Sequence, residues 1–358
     1  MKTEQILITA TLLLSVLGIV AVYSTDPLRE HGFGTASFYG RQIIWAILGW
    51  VIFIAIRQID YHWFLKLHWP LYFFVLLSLI AVLVYGSGSE IGVRSWLIYR
   101  SVQPSEFAKV GLIIFLASYL YRQSHLIQSW SFYIQLAILS MIPSFLIFIQ
   151  PDLGTTLILV TLWFCAIVVS GFHWKKIMFS LAFLGSLIPI LWPFLADYQK
   201  NRLLSFIDPH RDPLGSGYNV LQSKIAIGAG GFMGDGLLSG SQSQLRFLPA
   251  RHTDFIFAAW CEQLGFLGGT LLIFSFMVLV WAIMHIAREA KDIEGKYLTT
   301  LIAAMFVFQI LVNVGMNIGI MPITGLTLPF ISYGGSSLVI KMIALGLVCS
   351  VNRFKGEN

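Results

Sequence analysis

Apolar runs of roughly membrane-spanning length alternate with short polar stretches along most of the chain. A bilayer core about 30 Å thick needs roughly 20 apolar helical residues. Runs that reach or approach this length fall at 6–24, 42–57, 68–86, 107–121, 131–149, 154–171, 176–196, 256–286, 298–318 and 333–351. The weakest is 107–121, which is short and carries Lys109. The pattern predicts an all-α polytopic membrane protein with ten transmembrane helices, forming one domain over residues 1–358. Lys2 and the run Ile6 to Tyr23 resemble a signal peptide, but the run is long and no small-x-small cleavage site follows, so it reads as an uncleaved first span.

One long polar interval, 197–253, breaks the alternation and predicts a single large extramembrane loop. It is rich in glycine: Gly215, Gly217, Gly228, Gly230, Gly231, Gly234, Gly236 and Gly240. Within it, Tyr218 to Ala229 predicts a short helix lying at the interface, with Val220, Leu221 and Ile225 apolar and Lys224 polar. These glycines do not make a nucleotide fingerprint. Counted from Gly228, the required third glycine falls on Met233, and no GxxxxGK[ST] occurs in the chain. This argues against ATP and NAD as ligands.

Composition agrees with a chain solvated mainly by lipid. Of 358 residues, 57% are hydrophobic and 11% charged, against about 25% charged in soluble domains, and the mean hydropathy is +0.79. The net charge of +6 is spread between the apolar runs, with no nucleic-acid footprint. Lys and Arg choose the sidedness of a polytopic chain. With a cytoplasmic N-terminus, inside segments hold Lys2, Arg57, Lys66, Arg122, Lys175, Lys176, Arg288, Lys291, Lys296, Arg353 and Lys355, whereas the short outside connections hold Arg29, Arg41, Arg94 and Arg100. Both termini are therefore expected inside and the 197–253 loop outside. Cys165, Cys261 and Cys349 lie in or beside apolar runs with no CxxC pair, so they read as small buried hydrophobes.

Ionisable groups at membrane depth are costly and are kept where they face a cavity, a partner or a substrate. In QPSEFAK, Pro104 suits a helix start, and Glu106 and Lys109 are three apart, so they share a helix face and can pair. Either a structural ion pair or a cavity-lining pair fits that spacing. In QPDLGTT, Asp152 opens a helix and reads as its cap. In LPARHTDFIFAAWCEQLGF, Asp254 also sits at a helix start, but it closes a loop dense in cations: Lys200, Arg202, Arg211, Lys224, Arg246 and Arg251. Those cations suit phosphates, and a carboxylate among them can take a proton from a hydroxyl. Glu262, about two helical turns and roughly 12 Å further on, reads as structural. His252 reads as solvated or structural, and no histidine shows metal-ligand spacing such as HExxH. Finally, Gly315, Gly319, Pro322, Gly325, Pro329, Gly334 and Gly335 cannot share one regular helix. A helix ending near Met321 and a bent loop over the mouth of the bundle are expected, since irregular backbone at that depth must pack in protein or line a wet cavity.

Taken together, FYGRQIIW, QPSEFAK, QPDLGTT, LPARHTDFIFAAWCEQLGF and GMNIGIMPITGLTLPFISYGGSS resemble the motifs of the SEDS (shape, elongation, division and sporulation) family, in that family's order and over nearly the whole chain. The stretch SGSQSQLRFLPARHTDFIF and the short tails are more similar to the elongation branch than to the division branch. The resemblance implies a peptidoglycan glycosyltransferase with ten spans that polymerises lipid II on the outer face of the bacterial cytoplasmic membrane. It also implies a class B penicillin-binding protein, a single-span transpeptidase, as partner. The family's essential aspartate falls on Asp254, its QPSExxK pair on Glu106 and Lys109, its RQ arginine on Arg41 and its QPDLG aspartate on Asp152. Two departures are visible: Ala250 where glutamate is frequent, and Cys261-Glu262-Gln263 where two adjacent acids are usual.

On this reading Asp254 is the general base on the acceptor hydroxyl. Arg202, Lys224 and Arg246, then Arg41 and Arg94, are candidates for the diphosphate. No ligand cluster requires a cofactor, although Mg2+ or Mn2+ would aid a diphosphate. The rival readings are a lipid II flippase or transporter, which also uses buried charges and broken helices, and a scaffold that only recruits the transpeptidase. The polar groups gather at one mouth and no inverted repeat is visible, which tells against transport.

Overall fold

The computed structural model describes residues 2–26, 37–88, 94–96, 103–213 and 215–354. Its helices are α1 (Lys2–Thr25), α2 (Phe38–Gln58), α3 (Tyr61–Lys66), α4 (His68–Tyr85), α5 (Pro104–Arg122), α6 (Trp130–Ile149), α7 (Leu153–Val169), α8 (Trp174–Leu191), α9 (Asp197–Ile207), α10 (Ser216–Ala229), α11 (Ser241–Gln244), α12 (Ile256–Glu289), α13 (Ile293–Ile318) and α14 (Gly335–Phe354). Helices occupy all ten predicted windows, and eight of them are long and apolar enough to cross a bilayer. The periodicity did not announce α3, α9, α11 or a two-stranded antiparallel ladder, β1 (Ser87–Gly88) with β2 (Arg94–Trp96).

The described residues divide into two compact units. One holds 1–50, 196–282 and 309–341, and the other 51–195, 283–308 and 342–358.

In the second unit α5 packs against α3, α4, α6 and α7, and every residue from Pro104 to Leu120 except Phe107 is buried. The run that looked weakest as a membrane span is thus an interior helix, with protein rather than lipid around it. This explains how it tolerates Glu106 and Lys109. Tyr72 donates to the Leu139 carbonyl at 2.8 Å and Gln150 to that of Leu79 at 3.0 Å, tying α4 to α6 and its C-cap.

In the first unit, a core of Val220, Ala226, Leu248, Phe255, Ala258, Ala259, Met316 and Ile323 joins α10, the start of α12, the end of α13 and the loop after it. The helix expected over 218–229 is present as α10. Its inward face is Val220, Ser223 and Ala226, with the Ser223 hydroxyl donating to the Asn317 carbonyl at 2.8 Å, while Ile225 is exposed. The predicted single helix 256–286 is corrected. It breaks at Gly265 (φ 64°, ψ −165°), where Phe266 and Leu267 donate to the carbonyls of Gly231 and Phe232 at 2.9 and 3.2 Å. A Cβ at Gly265 would lie 2.4 Å from the Gly234 nitrogen. The glycine-rich stretch is therefore spent on close backbone packing.

Candidate active site

Asp254 lies two residues before the start of α12 and is half-buried. Its backbone is fixed by two asparagines one helical turn apart on α13. Asn313 and Asn317 donate to the Asp254 carbonyl at 3.1 and 3.0 Å. Asn317 also accepts from the Ala258 amide at 3.1 Å, and Asn313 donates to the Leu326 carbonyl at 2.7 Å. The Ser332 hydroxyl holds the Thr253 carbonyl at 2.7 Å. The bonds to the Ala258 amide and the Leu326 carbonyl are buried, where an unmade one would cost about 1–3 kcal/mol, and the other three are partly buried. The acid is thus carried on a rigid mount. The expected bent loop is present. α13 ends at Ile318, and residues 319–334 run without helix, with Leu326, Leu328, Phe330 and Ile331 buried.

Gly325 marks the centre of the site. It has φ +77°, and a Cβ there would lie 3.7 Å from Arg202 Nη1 and 3.8 Å from Asp254 Oδ2. The carboxylate and the guanidinium therefore flank one bare patch of backbone. Lys224 covers the other positive-φ glycine of the loop, with its Cε and Nζ over Gly319. Of the cations expected at the diphosphate, Arg202 and Lys224 reach this loop. Arg202 also packs over the Tyr198 ring at 5.5 Å. Arg246 is exposed after α11, Arg41 is exposed on α2 over the Phe38 ring at 5.9 Å, and Arg94 falls in β2 with its side chain outside the described residues. Arg29 and Arg100 also lie outside them. Arg251, one of the loop cations, is buried and structural: it donates to the carbonyls of Thr25 (3.0 Å) and Ser243.

The expected structural role of Glu262 is borne out. Fully buried, it accepts from the amides of Gln242 (2.6 Å) and Ser243 (2.9 Å), pinning the turn that leads towards Asp254. His252 is structural too, and half-buried. Its ring stacks on Phe38 at 4.4 Å, and its carbonyl accepts from the Tyr333 amide at 2.9 Å. Burial holds the imidazole below its ordinary value, with Arg251 acting in the same direction.

The second unit carries the remaining predicted residues. Lys109 Nζ and Glu106 Oε2 meet at 2.7 Å, 1% and 8% exposed. Asp152 caps α7 through the Thr155 amide at 3.0 Å, and its other oxygen accepts from Gln103 (3.3 Å) and Ser105 (3.2 Å) at the start of α5. Sequence reasoning passed over Asn313, Asn317 and Ser332. The signal was there: two amides four apart in an apolar helix are as much an anomaly as a buried charge.

A many-spanned helical membrane protein with a rigidly mounted acid beside a cation is the class that fold and site define. The comparisons give the family: residues 4–357 match the cell cycle proteins FtsW, RodA and SpoVE, and the chain belongs to that family. It is 37% identical to stage V sporulation protein E of Bacillus subtilis, covering 98% of this chain and 97% of that one. It is 36% identical to peptidoglycan glycosyltransferase MrdB of Escherichia coli, covering 98% and 94%. Among solved structures, a chain of a peptidoglycan synthase complex that coordinates polymerization with crosslinking superposes with TM-score 0.82 at 33% identity, over 98% of each chain. RodA of Thermus thermophilus superposes with TM-score 0.72 at 28% identity, over 98% of this chain and 97% of that one.

Proposed function

We propose that Asp254 is the general base of this membrane peptidoglycan glycosyltransferase, and that the reaction joins lipid II units into glycan strands during cell elongation. The observation that carries the reading is the convergence of the Asp254 carboxylate and the Arg202 guanidinium on Gly325. The acceptor is the 4-hydroxyl of N-acetylglucosamine. Its proton passes to Asp254 as its oxygen bonds to the anomeric carbon of the donor sugar, and the bond from that carbon to the lipid diphosphate breaks. A diphosphate is already a good leaving group, so a strong acid is not needed. One carboxylate suffices for a single inverting displacement, unlike the carboxylate pair of glycoside hydrolysis.

Arg202 and Lys224 are positioned to take the developing charge of the diphosphate, the electrostatic part of the catalysis. The bare backbone at Gly325 leaves room for the substrate beside both groups. Mg2+ or Mn2+ arriving with the diphosphate would assist, and no cluster of protein donors is needed to hold it. Glu106, Lys109 and Asp152 shape the second unit. The positive-inside bias supports a cytoplasmic-membrane protein with both termini inside and Asp254 on the outer face. A class B penicillin-binding protein would crosslink the strands, in keeping with the polymerization and crosslinking of the neighbouring complex.

Purified chain in detergent, given lipid II, tests this. Glycan strands are expected from the wild type and none from Asp254→Asn, with expression and partner binding retained. Strands from the variant would refute the assignment. Movement of lipid II across liposomes without polymer would instead support the flippase.

A further inference from the structure

The second unit holds a cluster that the polymerisation chemistry does not use. His62 on α3, Asp292 in the turn between α12 and α13, and Glu294 in the first turn of α13 each offer one donor atom, and the three atoms lie within 4.8 Å of one another. The segments that supply them are more than 200 residues apart in sequence, so no spacing motif could reveal the group.

The ring of His62 is oriented from behind. Its Nδ1 lies 2.8 Å from Asp60 Oδ1. A carboxylate there can only accept, so Nδ1 carries the hydrogen. In the neutral ring this leaves the Nε2 lone pair facing forward, 3.6 Å from Asp292 Oδ2. That separation is too long for an N–H···O hydrogen bond, which spans about 2.7–3.2 Å. It is close to the roughly 3.4 Å between two ligands held tetrahedrally on one ion at about 2.0–2.2 Å each. An imidazole whose rear nitrogen is held by a carboxylate is also the usual arrangement behind a metal-ligating histidine.

Asp292 is held in the same manner. Its Oδ1 accepts from the Tyr61 hydroxyl at 2.5 Å and its Oδ2 from the Gly295 amide at 3.0 Å. Burial, with Asp292 next, pushes the Tyr61 phenol up, so it remains a donor. Two carboxylates and an imidazole lone pair thus converge. Glu294 also feels the Arg122 guanidinium and takes a side-chain hydrogen bond from Ser118.

We propose that His62, Asp292 and Glu294 form a divalent-cation site for a borderline ion of the Zn2+ class. It would tie the first turn of α3 to the start of α13 and the turn before it. One nitrogen and two oxygens suit Zn2+, or Mn2+ where carboxylates dominate. Glu294, the longest of the three side chains, closes the remaining distance. The competing state is a protonated His62, which would itself be the cation between Asp60 and Asp292.

The test uses the full chain in detergent, stripped with EDTA and titrated with ZnCl2 by calorimetry, with X-ray absorption at the zinc edge. One saturable Zn2+ per chain is expected, with a single imidazole in an N/O shell. His62→Gln should weaken binding about 100-fold or more. Asp60→Asn leaves all three ligands in place and should still weaken it about 10–100-fold, the usual cost of removing such a support. Asp254→Asn should bind as the wild type does, which separates this ion from any that accompanies the diphosphate. Equal binding by wild type and His62→Gln, or no saturable binding, would overturn the site. So would a melting temperature that responds to pH through the histidine range and not to Zn2+, since that marks the protonated ion pair.

Discussion

The two units hold their acids in opposite ways. In the second, Glu106 is in direct contact with Lys109 at 2.7 Å, inside a helix that is buried on all sides. In the first, Asp254 is half-buried beside Gly325, and its carboxylate and the Arg202 guanidinium both face that glycine. A contact ion pair has its charge already spent, so it can shape a cavity but has little left for a substrate. Asp254 instead faces a stretch of bare backbone at Gly325, where a substrate hydroxyl can enter. Its rigidity comes from hydrogen bonds to the main chain: Asn313 and Asn317 hold the Asp254 carbonyl and Ser332 that of Thr253.

This contrast predicts different kinds of damage. Asp254→Asn keeps shape and volume and removes the base, so polymerisation should fall about 10²–10⁴-fold while the melting temperature stays near wild type. Strand length on a gel and thermal unfolding of the same preparation give both readings. A large loss of stability in this variant would make Asp254 a structural acid like Glu106 and erase the distinction.

Lys109→Met strands a buried carboxylate, at a cost of about 3–5 kcal/mol. Adding Glu106→Gln should recover most of that stability, because a neutral pair of similar volume needs no counter-charge. The reversed pair, Glu106→Lys with Lys109→Glu, should restore activity along with folding if the two residues act only as an ion pair. Restored stability with no activity would place one of them at the substrate.

Two glycines sharpen the comparison within the first unit. Gly265→Ala would force a Cβ to within 2.4 Å of the Gly234 nitrogen and 2.5 Å of the Phe232 oxygen, at a φ/ψ combination reserved for glycine. It should destabilise the protein strongly, as judged by unfolding in detergent. Gly325→Ala meets Arg202 and Asp254 at ordinary contact distances, so its stability cost is the left-handed backbone strain of about 1–2 kcal/mol. Its larger effect should be on kcat/KM for lipid II, because the methyl group would occupy the bare patch between acid and cation.

Much of this was legible in the sequence for a simple reason. Helices in lipid must satisfy their own backbone, so long apolar runs report helix positions directly, and the ten windows coincide with helices. Buried charges were equally visible because each is an anomaly in such a run. What stayed hidden was set by tertiary surroundings. α5 looked like a poor span because its lipid had been replaced by protein. Glycines 230–236 read only as part of a glycine-rich loop because their partner, the break at Gly265, is a backbone feature without a periodic signature. Which of the loop cations reach the site depended on where loop 319–334 folds. Arg202 and Lys224 meet it, whereas Arg251 is consumed in holding Thr25 and Ser243.

The smallest expected effect concerns His252, two residues before the acid. Burial, followed by Arg251, holds its imidazole below the ordinary value near 6.5, against a weaker opposing pull from Asp26. The unfolded chain therefore takes up a proton near pH 6.5 that the folded chain still refuses. Stability is full above that pH and falls as the pH drops below it. His252→Phe preserves an aromatic face against Phe38, 4.4 Å away in the wild type, and removes the titration. Thermal unfolding from pH 7.5 to 5.5 should then show a shallower decline in the variant, with the two proteins alike at the alkaline end. If polymerisation by His252→Phe also matches wild type at pH 7.5, the histidine supports the mount of Asp254 and takes no part in the proton's path. A selective loss of turnover at unchanged stability would mean that the base does not work alone.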